Sequence, residues 1–159
     1  MTFRELTTDD IPSVLNLFKM LISHLIEETS DPYMTTDPDS DLENGLGEYL
    51  ASTIEDRAKT TLVADDGGKI AGFICGEIRD CFFPPSVVKK IGYIFGAYTL
   101  PEYRNNGVMS QLEKILTDYF RSFKINYVEL NFLSGNSIAR KSWESLGYRV
   151  FREQMRKQI

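Results

Sequence analysis

The run from Ile91 to Leu100, almost continuously apolar or aromatic and closed by Pro101, constrains this chain most. At about ten residues it is half the length a membrane span needs, and it suits a strand covered on both faces. From Val108 the apolar residues fall at Val108, Leu112, Ile115, Leu116, Tyr119 and Phe123, which lays one stripe along a helix. A buried strand feeding an amphipathic helix implies a sheet with helices packed on it. Between the two elements lies Arg104-Asn105-Asn106-Gly107.

That junction has a chemical use. The first amides of a helix lack intrahelical partners and carry the positive end of its dipole, so they favour a phosphate. Gly107 lets a ligand approach the backbone, and Arg104 can add a charge-assisted contact, with Glu102 the one nearby carboxylate to compete for it. The same residues also read as an ordinary turn with Gly107 at its tight position.

The rest of the chain supplies the sheet and its covering. Thr2 to Leu6 reads as a short strand, and Thr7 to Asp10 carries helix-capping chemistry. Ile11, Val14, Leu15, Phe18, Leu21, Ile22, Leu25 and Ile26 then hold helical spacing, with Pro12 tolerated in the first turn. His24, the one histidine, falls at the edge of that stripe, where a plain surface role and a catalytic one are both open. Residues 30 to 41 read as a loop, and Asp41 to Glu55 as a second helix weakened by Gly45 and Gly47.

Thr60 to Asp65 and Lys69 to Arg79, joined by Asp66-Gly67-Gly68, predict a hairpin. Alternation along its second strand puts Ala71, Phe73, Cys75, Glu77 and Arg79 on one face, and Ile70, Gly72, Ile74, Gly76 and Ile78 on the other. Glu77 is thus a carboxylate inside a largely apolar strand. Tyr127 to Leu133 predicts a further strand and Ser137 to Leu146 a helix closed by Gly147, and Tyr148 to Lys157 should finish the sheet.

Composition narrows the class. With 159 residues and 42% apolar content, the whole chain, 1 to 159, reads as a single domain with its own core. No leader pattern and no apolar run of membrane length appear, so a soluble cytoplasmic protein is expected, without a membrane partner. Cys75 and Cys81 have no second pair and no histidine cluster, so neither a disulfide framework nor a metal site is expected. A net charge of -5, with scattered basic residues, argues against nucleic-acid binding.

Two ordered groups of residues, Arg104-x-x-Gly107 at a helix start after Pro101, and Asn136, Ala139, Trp143, Gly147 and Tyr148, resemble the GNAT superfamily of N-acetyltransferases. Its first signature reads R/Q-x-x-G-x-G/A, and its second runs from an Asn-x-x-Ala helix start to a Gly-aromatic pair. Recognisable residues span about Tyr93 to Met155. The resemblance implies an α/β (α+β) fold of order βααβββαβαβ, a single mixed, mostly antiparallel sheet flanked by helices on both sides. It also implies transfer of an acetyl group from acetyl-CoA (coenzyme A) to a primary amine of a small molecule or peptide, by direct attack on the thioester.

The resemblance assigns the cofactor to the backbone of Tyr98, Thr99 and Leu100, to Arg104, Asn105, Asn106, Gly107, Val108, Met109 and Ser110, and to Asn136, Ala139 and Trp143. Asn136 is also a natural helix N-cap. Met109 stands where the family prefers Gly or Ala, and Thr99 where it prefers Val. Many relatives carry a Glu at the position of Tyr93, and a phenol with a reference pKa near ~10 is a poor base at pH 7. Glu77, on the neighbouring strand, is the carboxylate left for that role, directly or through a water; an edge or ion-paired Glu facing Arg79 is the plainer reading.

Trp143 replaces the family's usual Tyr and cannot give up its indole proton, so it can position the cofactor arm without acting as an acid. A thiol with a reference pKa near ~8.5 still leaves as an acceptable anion. In this family the first two helices and their connection wall the acceptor site, which brings Asp31, Tyr33 and Asp37, with Asp39 and Asp41, to its entrance. A cationic acceptor would suit that charge, and a solvated acidic loop is the plainer reading. The sequence leaves room for a homodimer, and for a cofactor-binding module of this fold that has lost turnover and acts as a sensor or interaction domain.

Overall fold

The computed structural model describes residues 1 to 159. Strand β1 (Thr2–Glu5) is followed by helices α1 (Ile11–Thr29) and α2 (Leu42–Glu55), then β2 (Lys59–Asp66), β3 (Lys69–Asp80) and β4 (Lys90–Thr99). Helix α3 (Val108–Ser122), the short β5 (Val128–Leu130) and α4 (Ser137–Ser145) complete the order. The five strands lie side by side in sequence order, antiparallel except for the parallel β4–β5 pair. The mixed sheet with helices on both faces is the fold expected from the sequence. No helix is long and apolar enough to cross a membrane.

Each face of the sheet buries its own core. On one, Val14, Leu17 and Phe18 of α1 and Leu50 of α2 pack against Val63, Phe73, Cys75 and Tyr98. On the other, Leu112, Leu116 and Phe120 of α3 pack against Leu62, Ile74 and Ile94. Two glycines let α3 lie this close: a Cβ on Gly76 would come within 2.6 Å of Leu116, and one on Gly92 within 2.5 Å of Phe120. At the start of α1, Asp10 accepts the Thr7 N–H at 2.9 Å and the Thr7 hydroxyl at 2.7 Å, the capping chemistry predicted there.

Three expectations are corrected. Ala71 is an extra residue between the β2 partners of Ile70 and Gly72, and this bulge turns Ile70 toward Phe73 and Ala71 toward Ile74, the reverse of simple alternation. The strand expected over Tyr127 to Leu133 shrinks to Val128–Leu130. The last strand, expected over Tyr148 to Lys157, does not form: a three-residue β5 offers too short an edge, and residues 149 to 159 neither donate nor accept a backbone bond. Their apolar residues, Val150, Phe151, Met155 and Ile159, also follow no period of two.

Candidate functional site: an open edge of β4 leading to the head of α3

Strand β5 pairs with β4 only at Gly92–Val128, Tyr93–Glu129 and Ile94–Leu130. Beyond Ile94, β4 continues to Thr99 with its β5-side edge unpaired, so the two strands part into a cleft. They part at a second bulge. Phe95 is the extra residue between the β3 partners Cys75↔Gly96 and Gly76↔Ile94. Phe95 therefore turns to the α1–α2 face with Gly96, 4.5 Å from the Tyr49 ring and 6.1 Å from that of Phe18.

The open edge leads into the turn before α3. Pro101–Tyr103 forms one 3-10 turn, after which Asn105 (φ 62°) and Gly107 (φ 75°) adopt left-handed backbone. In consequence no backbone N–H from Asn105 to Ser110 donates to a backbone carbonyl, and the first such bond is Gln111 to Gly107 at 3.0 Å. A Cβ on Gly107 would meet nothing within 4 Å, so the space beside these amides is open. Six consecutive free donors at a helix head, in an open hollow, fit a pyrophosphate.

Arg104 does something the sequence did not indicate. Its Nε donates to the Thr99 carbonyl at 3.1 Å, tying the end of β4 to the turn, while its guanidinium carbon lies 5.3 Å from the Tyr98 ring centroid. No other hydrogen bond engages its terminal nitrogens. Glu102 is no competitor, because it pairs with Lys69 at 3.0 Å. The Leu100 N–H donates to the Ala71 carbonyl at 2.9 Å, so that amide is not free for a ligand. Val108 is buried, Met109 half-buried against the α3 core, and Ser110 exposed. Asn136, 4% exposed, caps α4 by accepting the Ala139 N–H at 2.9 Å.

On the α1–α2 face, Glu77 and Tyr93 are cross-strand partners. Arg79 hydrogen-bonds the Glu77 carboxylate and stacks 3.8 Å from the Tyr93 ring centroid. The Tyr49 hydroxyl is buried beside Glu77 with no hydrogen bond formed. Burial above all, and then the neighbouring Cys75 and Glu77, holds that phenol well above its ordinary pKa. Burial likewise pushes the Cys75 thiol up to about 12, which makes it inert. Trp143 is half-buried on α4, edge-on to Tyr148 at 5.4 Å, and the Tyr148 hydroxyl donates to Glu113 at 2.9 Å.

The acidic loop divides. Asp31 and Tyr33 come together around Arg156 of the C-terminal tail, whereas Asp37 accepts the Asp39 N–H at 3.0 Å in a local turn. Asp37 lines a shallow cavity of about 310 Å³ with Leu15, Lys19 and Leu46, and no β4 residue reaches it. Tyr49 and Phe95, which pack together on the Glu77 side of the sheet, have no distinguishing signal in the sequence, because their spacing reads equally well as plain core. A bulge at Phe95 has no signal in the sequence beyond the adjacent Gly96.

Similar proteins carry the same architecture. A mutant form of a Bacillus halodurans protein superposes with a TM-score of 0.84 at 20% identity, covering 100% of this chain and 99% of its own. An aminoglycoside 6'-N-acetyltransferase from Acinetobacter haemolyticus gives 0.76 at 17% identity, covering 100% and 99%. A predicted acetyltransferase from Clostridium acetobutylicum, solved with acetyl-CoA, gives 0.76 at 20% identity, covering 99% and 95%. No curated protein matches the sequence. The model of the acetyltransferase (GNAT) family matches residues 19–148, and with the split β4–β5 edge and the open head of α3 beside it, the chain belongs to that family.

Proposed function

We propose that this protein is an acetyl-CoA-dependent N-acetyltransferase acting, as a single domain, on a primary amine of a cationic small molecule or peptide. The observation that carries this is the row of free amides from Asn105 to Ser110 at the open edge of β4. Acetyl-CoA supplies the activated acetyl group. The amides and the free Arg104 nitrogens hold its pyrophosphate, and the unpaired β4 edge between Phe95 and Thr99 offers backbone groups to its arm. Asn136 and Ala139 at the head of α4, and Trp143 in its last turn, complete the cofactor site.

The acceptor approaches on the α1–α2 face, where Glu77 takes the amine proton, directly or through a water. Tyr49, Tyr93 and Phe95 offer ring surfaces to a cation there. Trp143 positions and does not protonate. A second reading, a cofactor-binding module without turnover, is favoured by one specific observation: Arg79 already engages the Glu77 carboxylate. Thiol release from acetyl-CoA over a panel of polyamines, aminoglycosides, amino acids and N-terminal peptides separates the two. Release with any acceptor supports the enzyme. Calorimetric binding of coenzyme A with no release across the panel supports the module, and no binding at all defeats both.

A further inference from the structure

The tail after Tyr148 makes no backbone bond, yet one of its side chains is held on several sides. Arg156 directs two nitrogens at the two oxygens of Asp31, at 3.0 and 2.7 Å, and its guanidinium carbon lies 4.2 Å from the Tyr33 ring centroid. A planar fork meets a carboxylate while its face meets a ring. That geometry suits a guanidinium better than a compact ammonium.

The receiving half is built without Arg156. Pro32 starts the short turn that follows Asp31, and Asp31 Oδ1 accepts the Tyr33 N–H at 2.9 Å. The Asp31 N–H donates to the Thr29 hydroxyl at 3.3 Å, and that hydroxyl donates to the Leu25 carbonyl at the end of α1, at 2.7 Å. The carboxylate is thus fixed by its own turn, while the arginine hangs on an exposed tail, and exposed ion pairs hold weakly. The pair also stands near the head of α4, because a Cβ on Gly135, beside Asn136, would lie 3.6 Å from Thr29.

We infer that Asp31 and Tyr33 form a guanidinium-binding subsite, which Arg156 fills in the free chain and which an acceptor carrying a guanidino group beside its amine takes by displacing it. The inference rests on the acceptor side proposed above and names the cation that side prefers. It also makes the tail a competitor of that cation, present at high effective concentration because it is tethered.

The test is a calorimetric or NMR titration of argininamide and lysinamide into the parent chain, Arg156→Ala, and Arg156→Ala with Asp31→Asn. Arg156→Ala should bind argininamide at least threefold more tightly than the parent, and at least threefold more tightly than it binds lysinamide. The added Asp31→Asn should abolish the gain. Tyr33→Leu in the Arg156→Ala background leaves the carboxylate in place and should narrow the preference for argininamide. Equal affinity in parent and Arg156→Ala, equal affinity for the two amides, or indifference to Asp31→Asn each overturns the subsite. No acetyl-CoA enters these titrations. Binding as expected without any thiol release would keep the subsite and sink the enzyme reading; acetylation of amines indifferent to Asp31→Asn would do the reverse.

Discussion

Glu77 on β3 stands directly across the ladder from Tyr93 on β4, and Arg79, two residues along β3 from Glu77, covers the Tyr93 ring at 3.8 Å. Relatives of this family that carry a glutamate at the Tyr93 position present a carboxylate from the central strand. Here Tyr93 takes that position, and the Glu77 carboxylate, proposed above as the base, lies one strand sideways at the same level. Arg79 holds the Glu77 carboxylate beside the ring and spares it a buried, unpaired charge.

Glu77→Gln keeps the shape and removes the proposed base. Turnover should fall by about 10² to 10⁴, with coenzyme A affinity unchanged. Tyr93→Phe keeps the ring under Arg79 and should leave both measures within about twofold. Unchanged turnover in Glu77→Gln would remove Glu77 from the chemistry.

Arg104→Glu reverses the charge beside six free amides and breaks the bond to the Thr99 carbonyl. Coenzyme A binding by calorimetry should weaken at least tenfold, equivalent to about 1.4 kcal/mol. Affinity equal to that of the parent would mean that the pyrophosphate lies elsewhere than at the head of α3.

How far the sequence could be read follows from which forces act locally. Periodicity revealed α1, α2, α3 and the β2–β3 hairpin because each buries a stripe or a face of its own. The bulges at Ala71 and Phe95 and the missing last strand depend on pairing with a neighbour, which no local pattern records. The amide cradle was legible because a Gly at a helix start is a local feature. The Arg79 stack on Tyr93 and the Arg156 clamp on Asp31 were not, since the clamp joins residues 125 apart.

Arg4 bridges Asp10, at 2.6 and 3.0 Å, and Asp65, at 2.8 and 3.2 Å, fastening β1 to the start of α1 and to β2. Its guanidinium, chiefly, holds the Asp10 carboxyl well below the usual carboxylate range; for Asp65 the Gly68 N–H comes first and Arg4 second. A carboxylate with a depressed folded pKa contributes stability that is complete above its unfolded value near ~4 and is lost as pH falls further. Urea midpoints should therefore drop below about pH 4. Asp10→Ala should cost about 1.5 to 3 kcal/mol at pH 7 and flatten that decline. An equally steep decline in the variant would assign the acid sensitivity to other groups.

Gly92→Ala should disturb the cofactor cradle from a distance. The added Cβ would lie 2.5 Å from the Phe120 ring, so the ring and the α3 segment that carries it are expected to shift, at about 1 to 3 kcal/mol of stability. Because α3 carries the cradle at its head, coenzyme A affinity should fall with it. Gly107→Ala meets no steric neighbour and strains only its left-handed backbone, so its stability loss should be smaller, near ~1 kcal/mol. Should Gly92→Ala match the parent in thermal midpoint, the close packing of Phe120 on β4 would not be needed.

Trp143, proposed above to position the cofactor arm, is half-buried and edge-on to Tyr148, whose hydroxyl donates to Glu113. Burial and the Glu113 charge hold the Tyr148 phenol above its ordinary pKa. Two substitutions separate packing from chemistry. Trp143→Ala removes a partly exposed aromatic and should cost about 2 kcal/mol, below the ~3 to 5 of a fully buried one, together with cofactor affinity. Trp143→Tyr retains a ring against Tyr148 and supplies an ionisable hydroxyl, so it should keep affinity and raise kcat where thiolate departure limits the rate. An alanine variant that folds and binds coenzyme A like the parent would move Trp143 out of the cleft, and with it the pairing of Asn136 and Ala139 to the cofactor.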